Sequence, residues 1–119
     1  MSNQRAASIQ RITEAVLTGP GETDPGLRSA IEVYSAEAGG RISGQVGELP
    51  AELVGYVDKV ARHAYKVTDA DIAALRSAGY SEDAIFEITL STALGAAKAR
   101  LERGFAAVRE EAEDATQQA

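Results

Sequence analysis

The stretch from Phe86 to Val108 constrains the fold more than any other part of the chain. Its apolar residues Phe86, Leu90, Leu94, Ala97, Leu101, Phe105 and Val108 recur at gaps of 4, 4, 3, 4, 4 and 3, the spacing that lines one face of an α-helix for about six turns. Ser81 stands where the N-cap of that helix belongs. Beyond Val108 the lettering REEAEDATQQA loses the apolar face and predicts a fraying acidic tail over 109–119. A chain of 119 residues has room for one core and a large surface around it. A helix whose apolar face outlasts its neighbours therefore needs a cover. The spacing points to a second copy of the chain, with Phe86, Leu90, Leu94, Leu101 and Phe105 as interface candidates. The chain's own N-terminal helices are the other available cover.

The remaining periodicity is helical too. Ile9, Ile12, Ala15 and Val16 predict a helix over about 3–18 that stops at Gly19-Pro20-Gly21. Asp24-Pro25 reads as an N-cap with Pro at the first helical position, opening a second helix with Leu27, Ala30, Ile31 and Tyr34 on one face and its end at Gly39-Gly40. Residues Arg41 to Leu49 show no period and are expected to form a loop. Pro50 opens a third helix whose stripe is Leu53, Val54, Val57, Val60, Ala61 and Ala64. Thr68 with Asp71 resembles a capping box, and Gly79 a left-handed helix end. No segment alternates with period two. The expected fold is all-α, about five helices in one domain: 1–49, a helical core over 50–108, and the tail.

Twelve basic against eighteen acidic residues give a net charge of -6, which repels a phosphate backbone, so no nucleic-acid partner is expected. The first twenty residues lack the apolar run of a signal peptide. No stretch approaches the roughly 20 apolar residues of a membrane span, so no membrane partner is expected. The chain has no cysteine, hence no thiolate nucleophile, no thiolate metal site and no disulfide, and the cytoplasm is the expected compartment.

Glu52, Tyr56, Lys59, His63 and Lys66 recur at steps of 4, 3, 4 and 3 and predict one polar face along the third helix. As a pocket wall it would offer Glu52 as acid or base, Tyr56 and His63 as proton carriers and the lysines as an anion attractor. An ordinary solvated helix face has the same lettering. Glu52 and His63 lie roughly 16 Å apart on a straight helix, too far for a dyad. The acids Asp69, Asp71, Glu82 and Asp83 lack calcium-loop spacing and suit helix capping. The glycines at 19, 21, 39, 40, 44 and 47 fit no phosphate loop. No metal and no cofactor is expected.

The lettering LRSAGYSEDAIFE, with ELVGYVDKV before it, resembles the alkylhydroperoxidase D and carboxymuconolactone decarboxylase superfamily, over about Pro50 to Val108. The resemblance implies a small helical bundle of that type, forming a trimer or a dimer-based hexamer. Its thiol members place a glutamate at the position of Glu52, a Cys-x-x-Cys pair at the positions of Ala64 and Val67, often a histidine at Lys66, and a distal histidine at Asp71. Here the glutamate stands and both thiols are replaced. Thiolate attack on peroxide and its resolution by a second cysteine are chemically impossible without sulfur at those positions, so neither a thiol peroxidase nor a disulfide reductase is expected. Two functions are compatible with the resemblance. One is a non-redox helical oligomer that binds a small ligand or a partner protein, or serves as a scaffold. The other is a thiol-independent acid-base enzyme, related to carboxymuconolactone decarboxylase, acting on a lactone, enol or carboxylate through Glu52, Tyr56, His63 and Lys66.

Overall fold

In the computed structural model, residues 3–38 and 48–118 are described, and among them are five α-helices and no strand. They are α1 (Asn3–Thr18), α2 (Pro25–Ala38), α3 (Ala51–His63), α4 (Asp69–Ser77) and α5 (Glu82–Gln118), with a 3-10 turn at Ala64–Lys66 between α3 and α4. The expected helix end at Gly39-Gly40 and most of the expected loop after it lie outside the described residues.

The local signals act as their chemistry requires. The Asp24 carbonyl accepts the first bond of α2 from the Arg28 N–H at 3.2 Å, and Pro25, which has no N–H to lose, begins the helix. Pro50 takes the N-cap position of α3, one residue outside the helix it was expected to open. Thr68 and Asp71 form the capping box, with the Thr68 N–H donating to Asp71 Oδ2 at 2.9 Å. At the other end of α4 the Tyr80 N–H donates to the Leu75 carbonyl and the Gly79 N–H to the Arg76 carbonyl, a Schellman motif with Gly79 at φ +102°. That backbone angle is why glycine stands there. Ser81 caps α5 by accepting from the Ala84 N–H at 3.1 Å.

One core forms where α2, α3, α4 and α5 meet, built from Ile31, Leu53, Tyr56, Val57, Leu75, Ile85 and Ile88. Ile31, Leu53, Val57 and Ile88 are fully buried, and burial of such side chains is worth about 1.5–3 kcal/mol apiece. The most extensive helix pair is α2 with α5, and it is built from small residues. Ser35 and Ala36 face Ser91, Thr92, Ala96 and Ala99, all buried, and a Cβ on Gly95 would sit 2.3 Å from the Glu32 carbonyl oxygen. The buried hydroxyls are satisfied within their own helices: Ser35 donates to Ile31 O, Ser91 to Glu87 O and Thr92 to Ile88 O at 2.6–2.8 Å.

The apolar stripe of α5 that was expected to need a cover is separate from the face that meets the core, and two further points are corrections. The face of α5 that meets the core carries Ile85, Ile88, Thr92, Ala96 and Ala99, whereas Phe86, Leu90, Leu101, Phe105 and Val108 are exposed and Leu94 is half-buried. Close approach of two backbones favours small residues, which a hydropathy pattern underweights. The tail after Val108 does not fray, since α5 runs to Gln118; alanine, glutamate and arginine are strong helix formers that extend a helix already nucleated. In addition, α3 ends at His63, so Ala64 and Lys66 leave the helix for the 3-10 turn. Arg100 of α5 caps that end by donating to the Ala61 carbonyl at 3.0 Å.

Candidate functional site

The five residues of the predicted polar face go to separate places. Tyr56 is in the core, 8% exposed, with its hydroxyl 2.6 Å from Thr89 Oγ1. Thr89 spends its only proton on the Ile85 carbonyl, so Tyr56 is the donor and is occupied as a structural link between α3 and α5. Glu52, at the start of α3, accepts from the Tyr80 hydroxyl at 2.7 Å. That bond holds the Glu52 carboxyl below its ordinary range, while burial and the Glu52 carboxylate push Tyr80 up to about 12. An acidic, already hydrogen-bonded carboxyl is a weak general base. Lys59 is paired with Asp71, both carboxylate oxygens lying 3.0 Å from its ammonium. The Thr68 N–H and then Lys59 keep Asp71 below the usual carboxylate range.

His63 and Lys66 sit at the exposed corner after α3. The His63 ring meets Tyr65 edge-on at 5.9 Å, Lys66 Nζ is 5.9 Å from the Tyr65 ring centre, and Tyr65 is 81% exposed. Of the two positions that carry thiols in the resemblance, Ala64 is exposed and Val67 packs against the core. The helix end at His63, which no cap residue in the sequence announces, is what separates this corner from Glu52 and Tyr56. Among the described residues, no group of three or more histidines and carboxylates could hold a metal ion, and no helix is long and apolar enough to cross a membrane.

Sequence reasoning missed the pair, a buried arginine and a half-buried glutamate, that fixes the α1–α2 connection. Arg28, 3% exposed, donates through Nη1 to Val16 O at 2.7 Å and through Nη2 to Gly19 O at 2.8 Å and Thr23 O at 3.3 Å. Its Nε lies 3.9 Å from Glu87 Oε1, a Coulombic approach beyond hydrogen-bond length. Glu87 in turn accepts from the Glu22 N–H, the Thr23 N–H and the Thr23 hydroxyl at 2.6–3.0 Å. Burial pushes the Glu87 carboxyl up, but these hydrogen bonds and Arg28 outweigh it and leave it lowered. A carboxyl lowered by folding stabilises fully above its unfolded pKa of about 4.3, and that contribution is lost as pH falls through the folded value. Urea denaturation should therefore show stability falling below about pH 4, and Glu87→Gln should be less stable at pH 7 with a shallower loss on acidification.

A second polar cluster joins α2 to α3, also unread in the sequence. The Tyr34 hydroxyl donates to Asp58 Oδ2 at 3.2 Å beside a cavity of about 210 Å³ that Glu37 and Arg62 help to line. Burial and then Asp58 raise the Tyr34 pKa. Tyr34 and Asp58 serve as a half-buried bridge between helices.

The surface best formed for binding is apolar and belongs to α1 and α5. A groove of about 480 Å³ runs between them, with Ala6, Ile9 and Thr13 on one wall and Leu101, Glu102 and Phe105 on the other. It continues onto an exposed stripe in which Phe86 is 66%, Leu90 40%, Leu101 41% and Val108 65% exposed. Past residue 100 nearly every position of α5 is exposed, and the molecule measures 61 × 28 × 24 Å, so the last turns of the helix project from the bundle. No protein-family model, no curated protein and no solved structure matches this chain.

Proposed function

We propose that the chain is a cysteine-free, alkylhydroperoxidase D-like helical protein that works by binding, as a homo-oligomeric scaffold or carrier, and performs no thiol redox chemistry. The observation that carries this reading is the apolar stripe of α5, in which Phe86, Leu90, Leu101, Phe105 and Val108 remain exposed and Leu94 half-buried. Exposed apolar surface of that length, continuous with a groove, marks an interaction surface. The polar residues available for catalysis support the same reading, since Glu52, Tyr56 and Lys59 are each engaged in a structural contact.

Native mass spectrometry on the full chain at about 20 µM tests the proposal. The expected result is a particle at a multiple of 12.5 kDa, with or without a stoichiometric extra mass. A bare monomer would overturn it. So would turnover of a lactone, enol or carboxylate substrate that Glu52→Ala abolishes, which would place the chain among acid-base enzymes instead.

A further inference from the structure

Resting on the proposed self-association, we infer that the outward face of the bundle is a two-fold interface, whose axis passes between Leu94 and Ala97 and lays the apolar stripe of α5 on the same stripe of a second copy. The stripe reads the same in both directions: Phe86, Leu90, Leu94, Ala97, Leu101 and Phe105 fall at gaps of 4, 4, 3, 4 and 4. A surface that meets itself across a two-fold axis needs that property, because residue i of one copy meets residue j of the other and j meets i. Here Phe86 comes level with Phe105, Leu90 with Leu101, and Leu94 with the small Ala97. From Phe86 through Ala97 to Val108 the stripe repeats every 11 residues, about 3.67 per turn against the 3.6 of an α-helix. It therefore runs nearly straight along α5, and two such helices can stay in contact from residue 86 to 105, about 30 Å.

The side chains of this stripe are available for such a contact. Phe86 stands clear of the bundle at 66% exposure, and Ala97 between the two halves is exposed as well. Leu101 and Phe105 are the α5 wall of the groove shared with α1, so the partner's Leu90 and Phe86 would cover that wall. Lys98, Arg100 and Glu102 are engaged within their own chain, and no contact of the pairing draws on them. Sliding the two helices by one turn replaces an apolar level with a charged one. In one direction Phe86 comes level with Arg109, in the other Phe105 with Glu82, and an apolar surface closing over a charge is unfavourable. The matched register instead brings Arg109 beside the partner's Asp83, and neither residue is in an ion pair among the described residues. A parallel pair would align the same apolar residues but set Asp83 beside Asp83, Arg109 beside Arg109 and one acidic tail along the other, all like charges. The antiparallel pair keeps the two tails at opposite ends.

Sedimentation equilibrium of the full chain tests the interface, with circular dichroism to verify helix content. Phe86→Glu alters a side chain that its own bundle leaves exposed, so helix content should not change. The dissociation constant of the two-chain unit should rise at least about a hundredfold, because symmetry closes apolar surface over two unpaired carboxylates. Asp83→Arg and Arg109→Asp should each weaken association about threefold to tenfold, as expected for contacts at a solvated rim, and the double variant should return to within about twofold of the parent. Because the chain contains no cysteine, the register has its own readout. Leu94→Cys chains mixed with Ala97→Cys chains should give an oxidised hetero-dimer in higher yield than Leu94→Cys chains mixed with Leu101→Cys chains, the pair that a one-turn slide would favour. Phe86→Glu chains that associate like the parent, the opposite order of cross-linking yields, a double charge variant weaker than either single one, or a purely trimeric particle would overturn the interface while leaving the binding function in place. A monomeric parent would overturn both.

Discussion

Gly95→Ala should destabilise the protein by about 2 kcal/mol, although alanine is the better helix residue by about 1 kcal/mol. The added Cβ would meet the Glu32 carbonyl oxygen at 2.3 Å and Ser35 Cβ at 2.9 Å. A backbone oxygen cannot rotate aside as a side chain can, so α2 and α5 must separate. Overpacking of that kind costs about 1–3 kcal/mol or more, and here it also loosens the pair with the most extensive contact in the bundle. Gly55→Ala is the matched control. Gly55 is mid-helix and exposed in α3, and a Cβ added there would have nothing within 4 Å, so the same change should stabilise by roughly 0.5–1 kcal/mol. Urea denaturation of both variants reads the contrast in sign. Equal effects at the two positions would show that α2 and α5 approach less closely than these distances require.

Arg28→Met should cost about 3–5 kcal/mol, the range for breaking a buried ionic contact on one side. Methionine can fill the space of the arginine stem, but the Val16, Gly19 and Thr23 carbonyls lose their donor and Glu87 keeps its charge without the cation. The damage should be local before it is global. A broad-specificity protease such as proteinase K should cut the connection between α1 and α2 first, because Arg28 and Glu87 are what hold that segment. Arg28→Lys should fall between the parent and the methionine variant, since one ammonium cannot reach all three carbonyls. Chemical denaturation with timed proteolysis measures both effects. A variant as stable as the parent would make the buried guanidinium dispensable.

What was legible in the sequence is what local chemistry decides. The capping box at Thr68 and Asp71, the left-handed end at Gly79, the Ser81 cap and the Asp24-Pro25 start each depend on a few consecutive residues, and each lies where its lettering places it. The candidate site was less legible. Tyr56 shares a helical spacing with Glu52 and Lys59, yet its ring is in the core because Thr89, on another helix, offers its hydroxyl an acceptor. Lys66 belongs to the same spacing but leaves the helix, because α3 stops at His63 without a glycine or proline to mark the stop.

The sequence by itself determined an all-helical chain without cysteine, hence the helices, their caps and the exclusion of thiol chemistry, because dihedral preference, capping and elemental composition are properties of neighbouring residues. Only the tertiary structure decided which face of α5 is spent on the core. Gly95, Ala96 and Ala99 win that contact because small residues let two backbones come close, and the larger Phe86, Leu101, Phe105 and Val108 are thereby turned outward. The same holds for Arg28 and Glu87, which read as surface charges in the chain. They become an internal clamp only when folding brings α5 against the connection between α1 and α2 and removes the water that would otherwise solvate them.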